Sequence, residues 1–433
     1  MDPTAVGLIA IVVVIALIFY GVPIGFALAA VGFVGNGIMI GWPQTVVQTQ
    51  LVAWEIGTNF LFVAAPLFLF MGQLVYHTGI ATDLFDTVHK WFGRLPGGLA
   101  VTSTVASAGF GAVTGSSIAA VATMGAMVMP EMKRYKYSMS LATGSLAAAG
   151  TLAILIPPSI ALVLIGVWTE TSIGSLFVAG IIPGLLMATL FSLWIVIRCV
   201  IEPELGPRGP RFSWPARFWS LFKLTPTAAI FGIVLGGIYG GIFTPTEASA
   251  VGSIGVIAVA AAMRRLSWRG LRDSLHQAAL LSAMIYVIFV GGTLIGRFLV
   301  QTEITPGLIA YIAELNVSRH VILALFAVMY LILGAVLDTF GMIILTLPFV
   351  FPIVLSLGFD RVWFGIFLTI MIELALITPP IGINVYVMRR ISSDVPLAEI
   401  FRGAAPFVVL TLVVVVLIAV FPQIVLWLPS TMR

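Results

Sequence analysis

Two proline pairs interrupt long apolar tracts of this chain at points where oxygen ligands for a cation are available. Residues 154–159 read ILIPPS, and residues 376–384 read LITPPIGIN. Proline has no backbone N–H and its ring clashes with the preceding turn, so each pair ends a helix. At membrane depth the carbonyl groups freed by such a break must face protein, water or an ion. The two breaks therefore predict two sites at which backbone carbonyls bind a ligand.

Two short polar segments supply further oxygen atoms. Residues 114–117 (TGSS) join apolar legs near 98–110 and 118–129, and Asp338 with Thr339 joins legs near 321–336 and 340–352. The first pair of legs is shorter than the roughly 17 residues that a transmembrane helix needs, which indicates a re-entrant hairpin. Hydroxyl, carbonyl and carboxylate oxygens suit a hard cation such as Na⁺. Each tip also begins a helix whose positive N-terminus attracts an anion.

Neither hairpin core contains Lys or Arg. If the substrate is a carboxylate, helix N-termini and co-bound Na⁺ must balance its charge, which predicts Na⁺-dependent transport.

Structural alternatives stay open for each feature. A proline pair can simply kink a helix, and small residues at a tip can serve close packing. Asp338 is a functional candidate because it is ionisable at membrane depth, but it can also cap the helix that starts at Thr339. Glu373 either lines the cavity or pairs with a neighbour.

Composition places the whole chain in a membrane. Of its 433 residues, 60% are hydrophobic and 9% are charged, whereas soluble domains average about 25% charged residues. The mean hydropathy is +1.15, and several apolar stretches reach the length of a membrane-spanning helix. These values predict an all-α polytopic membrane protein without a soluble domain. The apolar N-terminus lacks a basic flank and is expected to be the first span rather than a removed signal.

Several functional classes are disfavoured by what the sequence contains. The single cysteine, Cys199, allows no disulfide within the chain, and the four histidines show no metal-binding spacing. A phosphate-binding loop is absent, so ATP hydrolysis is not expected, and neither is any cofactor beyond Na⁺ as coupling ion. The net charge of +4 needs no nucleic-acid partner, because excess Lys and Arg mark the cytoplasmic side of membrane proteins.

The order of elements repeats once along the chain. Pro23, Pro130, Pro157 and Pro158 are matched 222 positions later by Pro245, Pro352, Pro379 and Pro380. We therefore predict two repeats, residues 1–225 and 226–433. Scaffold helices are expected in 1–77 (near 5–20, 22–40 and 60–77), 176–199, 226–299 and 405–427, and transport elements (hairpins and broken helices) in 97–168 and 319–390. Residues 200–225 are expected to form a loop, and residues 264–278 an amphipathic stretch separate from a helix near 280–299.

Charge distribution gives the orientation. With a periplasmic N-terminus, 17 of the 21 Lys and Arg residues fall on cytoplasmic connections, as expected in a bacterial inner (plasma) membrane. The first repeat then crosses the membrane five times, so the second starts from the opposite face. This is an inverted-topology repeat, a common plan of secondary transporters.

One specific string is expected to be structural. In GGIFTPTEASAVG (240–252), Thr244 can cap a helix, Pro245 suits its first position, and Glu247 completes a capping box. The arginines of residues 264–272 are expected to form a solvated cytoplasmic face.

Several strings together resemble the large membrane subunit (DctM-like) of the tripartite ATP-independent periplasmic (TRAP) transporters. They are RLPGGLA (94–100), TGSSIAA (114–120), MPEMKRYKY (129–137), AGTLAILIPPSI (149–160), LFVAGIIPG (176–184), GGIYGGIFTPTEASAVG (236–252) and ITPPIGINVYV (377–387). The resemblance implies Na⁺-coupled import of an organic acid, such as a C4-dicarboxylate or sialic acid, by an elevator mechanism. It also implies two partners, a periplasmic substrate-binding protein and a small four-helix membrane subunit.

By the same resemblance, Na⁺ is bound at two sites. The first uses Thr114, Ser116 and the backbone of Ala153, Ile156 and Pro158. The second uses Asp338, Thr339, Thr378 and Pro380. Candidate substrate-binding residues are Ser117, Ser159, Asp338 and Asn384. The family often has Ser at position 114, where the hydroxyl is kept, and Gly at position 153, where the alanine methyl group is expected to crowd the backbone ligand.

Three other functions are weighed. A stand-alone divalent-anion/Na⁺ symporter would share the architecture without the partners. An intramembrane hydrolase with Ser116 as nucleophile lacks a histidine base in the hairpins and broken helices. A passive channel conflicts with paired broken helices. No catalytic residue is expected.

Overall fold

Helices form the whole framework of this protein. The computed structural model describes residues 3–314, 317–335 and 337–432, and the side chains of 80, 81, 112–114, 305 and 313 lie outside this description. Within these ranges there is no strand, and seven helices are long and apolar enough to cross a bilayer. A bent pair, Met139–Leu155 and Ile160–Trp168, would form an eighth span. The prediction of an all-α polytopic membrane protein is confirmed.

The first series comprises ten α-helices, with a 3₁₀ turn at Phe60–Val63 before the fourth. They are α1 (Pro3–Phe19), α2 (Ile24–Ile40), α3 (Trp42–Thr58), α4 (Ala64–His77), α5 (Ile80–Phe92), α6 (Gly98–Thr114), α7 (Ser117–Arg134), α8 (Met139–Leu155), α9 (Ile160–Trp168) and α10 (Ile173–Ile201). Helices α6 and α7 are the legs of the first hairpin, and α8 and α9 are the halves of the first broken helix.

The second series follows the same order. It comprises α11 (Trp214–Tyr239), α12 (Pro245–Ala262), α13 (Trp268–Gln301), α14 (Ile304–Glu314), α15 (Arg319–Leu333), α16 (Thr339–Ser356), α17 (Arg361–Ala375), α18 (Ile383–Ile391), α19 (Leu397–Val420) and α20 (Gln423–Leu426). Shifting α7 by 222 positions gives the bounds of α16. Helices α15 and α16 form the second hairpin, and α17 and α18 the second broken helix.

Some boundaries differ from the sequence-based expectation. Helix α11 begins at Trp214, inside the expected loop 200–225, because the Ser213 side chain caps it by accepting the Ala216 N–H. The proposed repeat boundary at 225/226 thus falls within a helix. Residues 264–278 and 280–299 were expected as separate elements but contribute to one helix, α13. Helices α3 and α14 were not anticipated, since their polar content weakens the apolar pattern.

Helices α2 and α13, both in the predicted scaffold, are in close contact. A Cβ atom added to Gly32 would lie 2.6 Å from the Ile295 backbone nitrogen, and one added to Gly291 would lie 2.4 Å from the Gly25 oxygen. Side chains at these positions would force the two backbones apart. Within the contact, the buried Asn36 amide donates to the Leu294 carbonyl at 2.9 Å. The glycines therefore allow the backbones of α13 and α2 to pack directly against each other.

One face of the molecule carries most of the charged connections, and we call it the basic face; it comprises residues 83–97, 131–137, 198–223, 264–273 and 389–402. There Lys133 pairs with Asp394 at 2.7 Å, and Lys223 lies 3.6 Å from Asp86. The hydrogen bond from Lys133 lowers the pKa of the Asp394 carboxyl. The Gly97 N–H also donates to the Gly206 carbonyl at 2.9 Å, which ties the start of the first hairpin to the loop after α10.

Candidate ion and substrate site at the helix breaks

The tip of the first hairpin lies directly against the first helix break. Helix α6 ends at Thr114, whose side chain lies outside the described residues. Gly115 follows with a φ of +57°, and Ser116 (φ −134°) caps α7 by accepting the Ala119 N–H at 3.3 Å. A Cβ atom on Gly115 would lie 3.2 Å from the backbone nitrogen of Ile160, the first residue of α9. Tip and break are therefore in contact.

The first break turns the chain by 43° between α8 and α9. Ile156 is extended (φ −87°, ψ 121°), and the Pro157–Pro158 peptide bond is cis. Ser159 caps α9 and accepts the Leu162 N–H at 3.4 Å. Because Ile156 leaves the helical conformation here, the carbonyls at the end of α8 lose helical partners and are available to a ligand.

Ala153 is fully buried against α6. A Cβ atom added to Gly111 would lie 1.9 Å from the Ala153 Cα and 2.4 Å from its Cβ. The alanine methyl group thus occupies the space that Gly111 leaves open, and it is accommodated by that glycine. Gly334 and Ala375 repeat this arrangement in the second half, where a Cβ on Gly334 would lie 2.2 Å from the Ala375 Cβ.

The second tip and break are built from the same types of element. Asp338 caps α16 by accepting the Gly341 N–H at 2.9 Å, and Thr339 is buried. After α17, the Thr378 hydroxyl donates to the Leu374 carbonyl at 2.6 Å, and the Pro379–Pro380 peptide bond is cis. The capping role weighed for Asp338 is therefore present, and the other carboxylate oxygen is not used in that bond.

The two breaks differ in exposure. Pro157 and Pro158 are buried, whereas Pro379 and Pro380 are exposed. In the second break, the Asn384 N–H donates to the Leu376 carbonyl at 3.0 Å and spans the interruption. The two repeats therefore have the same order of elements, but the second break is exposed and the first is buried.

A buried polar network joins the two repeats beside these breaks. The Ser117 hydroxyl donates to Glu373 Oε2 at 2.6 Å, and Asn384 Nδ2 donates to Ser117 Oγ at 3.0 Å. Asn384 Nδ2 also lies 3.3 Å from the Ala147 carbonyl. All three side chains are at most 1% exposed. Within the described ranges, Glu373 Oε1 and Asn384 Oδ1 have no hydrogen-bond partner, so two acceptors remain open.

The structure thus brings some predicted residues together and leaves others apart. Ser117 and Asn384 are in direct contact, although they are 267 positions apart. Ser159 and Asp338 make only their capping bonds among the described side-chain contacts. Glu373 forms a hydrogen bond with Ser117 of the first hairpin. The sequence had left two roles open for it, lining the cavity or pairing with a neighbour. Its ionisable side chain one turn before a predicted break was the signal that drew attention to it.

Comparison with known proteins agrees with this architecture. The family model described as "Tripartite ATP-independent periplasmic transporter, DctM component" matches residues 11–424. The C4-dicarboxylate TRAP transporter large permease protein DctM of Pseudomonas aeruginosa is 33% identical, over 91% of this chain and 92% of that protein. The sialic acid TRAP transporter large permease protein SiaM of Vibrio cholerae is 31% identical over 96% of both chains.

Among solved structures, the Alcanivorax borkumensis YdaH transporter superposes with a TM-score of 0.65, covering 98% of both chains at 13% identity. At that identity the likeness concerns the fold alone. The matching family is one of transporter permeases, not enzymes, which removes the intramembrane hydrolase. On the family match over nearly the whole chain, this protein belongs to the DctM family of TRAP transporter large permeases.

Proposed function

We propose that this permease imports an organic acid by coupling its movement to Na⁺. The observation that carries the proposal is the contact between the first hairpin tip and the first helix break, at Gly115 and Ile160. Such a contact would bring hydroxyl groups, freed carbonyls and helix N-termini close to one another, which supports a shared binding site there. Broken helices of this kind bind coupling ions with carbonyl oxygens and anionic groups with helix N-termini.

For the first Na⁺ we propose the hydroxyls of Thr114 and Ser116 with the carbonyls of Ala153, Ile156 and Pro158. The extended conformation of Ile156 supports this assignment because it turns the backbone out of the α8 helix. The lone pairs of Ser116 Oγ are only partly used by the Ala119 N–H.

For the second Na⁺ we propose Asp338, Thr339, Thr378 and the Pro380 carbonyl. The Thr378 hydroxyl donates its proton to Leu374, so its lone pairs remain free to face a cation. The Asp338 carboxylate would supply negative charge at that position. For the substrate we propose Ser117, Ser159, Asp338 and Asn384. The proposed acid is a C4-dicarboxylate, sialic acid or a similar carboxylate, the first two being the substrates in the names of the two relatives above.

The proposed mechanism is an elevator. The hairpins and broken helices of α6–α9 and α15–α18 would move as one body against the scaffold helices predicted in 1–77, 176–199, 226–299 and 405–427. The Ser117–Glu373 bond supports this grouping because it links the first hairpin to the second broken helix. The tight α2–α13 contact supports a scaffold that stays in place.

We also propose the setting in which transport occurs. The chain would lie in the inner membrane with its basic face toward the cytoplasm and its N-terminus toward the periplasm. Its partners would be a small four-helix membrane subunit and a periplasmic binding protein that delivers the acid.

The test is uptake into liposomes containing the two membrane subunits. The substrate is first identified by thermal-shift screening of the cognate binding protein against organic acids. We expect accumulation that requires both the binding protein and an inward Na⁺ gradient. Uptake without the binding protein would instead support a stand-alone symporter, and flux independent of the Na⁺ gradient would support a channel.

A further inference from the structure

A single ion pair stands apart from the others in this protein. Of the nine ion pairs among the described residues, eight lie on the basic face. The ninth joins Arg297, near the end of α13, to Glu55 on α3 at 3.2 Å on the opposite face. Side-chain exposure is 38% for Arg297 and 68% for Glu55, so the guanidinium is the more enclosed partner.

This ion pair borders a cavity of about 640 Å³. That volume is in the range of small-molecule binding sites, roughly 300–1,000 Å³. The floor of the cavity is aromatic: Phe289 lies 4.5 Å from Phe62 and 5.5 Å from Trp168, measured between ring centroids. The cavity therefore combines one cation with apolar rings, a combination suited to a small organic anion.

The position of the cavity connects it to the helix breaks. Its walls come from the scaffold helices α3 and α13 and from the end of α9, at Trp168. Helix α9 has nine residues and starts at the first break, so it runs about 13 Å from the break to the cavity. A second cavity is bordered by Trp168 and Arg297 and also by Pro348 of α16, the helix that Asp338 caps.

Arg297 has spare binding capacity. An arginine carries five N–H donors arranged to hold a carboxylate with two parallel bonds. Among the described contacts, Arg297 uses one of them, on Glu55 Oε2. An exposed ion pair stabilises a protein little, so an incoming carboxylate can replace Glu55 at low cost.

Two other arginines among the described residues, Arg319 and Arg361, are engaged differently. Arg319 lies over the Phe359 ring at 5.1 Å, and Arg361 lies 6.0 Å from the Phe351 ring. Neither borders the cavity of Arg297. Glu55 and Glu170 also border this cavity and are exposed, so they would weaken anion binding. We therefore expect the site to bind an anion weakly and briefly, and not tightly.

We infer that this cavity is a vestibule in which the carboxylate of the transported acid pairs with Arg297 before it reaches the hairpin tips. The inference rests on the proposed transport function, because in that function the substrate arrives from the periplasm at the face opposite the basic face. It assigns to Arg297 a binding role and to Glu55 the role of a competitor that holds the empty guanidinium in place.

Thiol labelling tests this assignment without a transport assay. In a Cys199→Ser background, Thr293→Cys places a thiol one helical turn before Arg297, in the same cavity. Its labelling rate is compared for an anionic (sulfonatoethyl) and a cationic (trimethylammonioethyl) methanethiosulfonate. Arg297→Gln is expected to lower the anionic-to-cationic rate ratio by about tenfold, and Glu55→Gln to raise it by about threefold. Arg319→Gln is the matched control and is expected to leave the ratio unchanged.

Succinate supplies the second measurement. At millimolar concentration it is expected to slow labelling in the Thr293→Cys protein and in its Arg319→Gln variant, but not in its Arg297→Gln variant. A thiol that does not react would mean that the cavity is closed, and would overturn the inference. So would protection that survives Arg297→Gln, or a ratio that Arg297→Gln and Glu55→Gln move in the same direction.

The two proposals fail separately. Labelling requires neither a Na⁺ gradient nor the binding protein, so absent Na⁺-coupled uptake would overturn the transport proposal while leaving the labelling result interpretable. Normal uptake with unaltered labelling ratios would overturn the vestibule alone.

Discussion

Ser117 and Glu373 form a 2.6 Å hydrogen bond across 256 positions of sequence, between the first hairpin and the second broken helix. Both side chains are buried, and Glu373 has no ion-pair partner among the described residues. A buried carboxyl without a cation depends on its hydrogen bonds for stability. This contact therefore couples the two repeats at the place where each presents its proposed binding elements.

Removing the donor of this bond should destabilise the protein. In Ser117→Ala the Glu373 carboxyl loses its partner, and a loss of about 1–3 kcal/mol is expected. Thermal unfolding of the detergent-solubilised protein measures the effect as a lower apparent Tm. The double variant Ser117→Ala/Glu373→Leu removes both polar groups and should recover part of the loss. If the double variant is as unstable as the sum of the single ones, the two side chains do not act as a pair.

Two substitutions of Asp338 separate its role as a helix cap from the role of its negative charge. Asparagine caps helices as well as aspartate, whereas alanine costs about 1 kcal/mol at such a position. Asp338→Asn should therefore keep its thermal stability and lose Na⁺-coupled uptake, and Asp338→Ala should lose both. Normal uptake by the stable Asp338→Asn protein would show that Asp338 serves α16 only.

The capping box of α12 should matter for stability and not for coupling. The Thr244 hydroxyl accepts the Glu247 N–H at 3.3 Å, and Glu247 accepts the Thr244 N–H at 2.8 Å, which confirms the predicted motif. Glu247→Ala is expected to cost about 0.5–2 kcal/mol. Glu247→Gln preserves the motif and is the control. Altered Na⁺ dependence at normal stability would contradict this structural role.

Gly111 should tolerate no side chain. A Cβ atom there would meet the Ala153 backbone at 1.9 Å, whereas at Gly109, on the same helix, it would meet the flexible Leu84 side chain at 2.8 Å. Gly111→Ala is expected to destabilise by about 3 kcal/mol or more, and Gly109→Ala by much less. Yield and monodispersity after detergent extraction compare the two. Similar behaviour of both variants would contradict the close approach of α6 and α8.

The Lys133–Asp394 pair predicts a defined pH dependence. The folded-state pKa of Asp394 is lowered by its bond to Lys133, so the pair stabilises above the unfolded pKa of about 3.9. That contribution is lost as the pH falls through the lowered folded-state value. The difference in apparent Tm between wild type and Asp394→Asn should therefore be equal at pH 8 and pH 6. A difference that changes over this range would point to another titrating group.

Sequence patterns were sufficient for features that depend on local chemistry. Both proline pairs were predicted to end a helix, and α8 and α17 do end just before them. The Thr244–Glu247 box follows from residues three positions apart. The constant 222-residue shift gave the order of the second series. Family resemblance then added the class of transporter, which the comparisons support.

Features that depend on distant packing were not predictable in this way. The bond between Ser117 and Glu373 and the approach of Gly111 to Ala153 join residues that no local pattern relates. Helix α3 was missed because its polar residues, among them Gln44, Gln48 and Glu55, weaken its apolar periodicity. The start of α11 at Trp214 was missed because basic and aromatic residues alternate there, as in a surface loop.

The two repeats also differ at one joint, and this affects where the predicted scaffold can bend. In the first repeat, α3 and α4 meet at Asn59, whose side chain accepts the Leu61 N–H at 2.9 Å. The corresponding position of the second repeat is Leu281, inside the unbroken α13. Bending α13 would rupture main-chain hydrogen bonds, whereas rotation at Asn59 changes only a few torsion angles. Bending of the predicted scaffold should therefore be confined to the face opposite the basic face. Distances between spin labels placed on either side of Asn59 should vary more widely than distances between labels placed along α13.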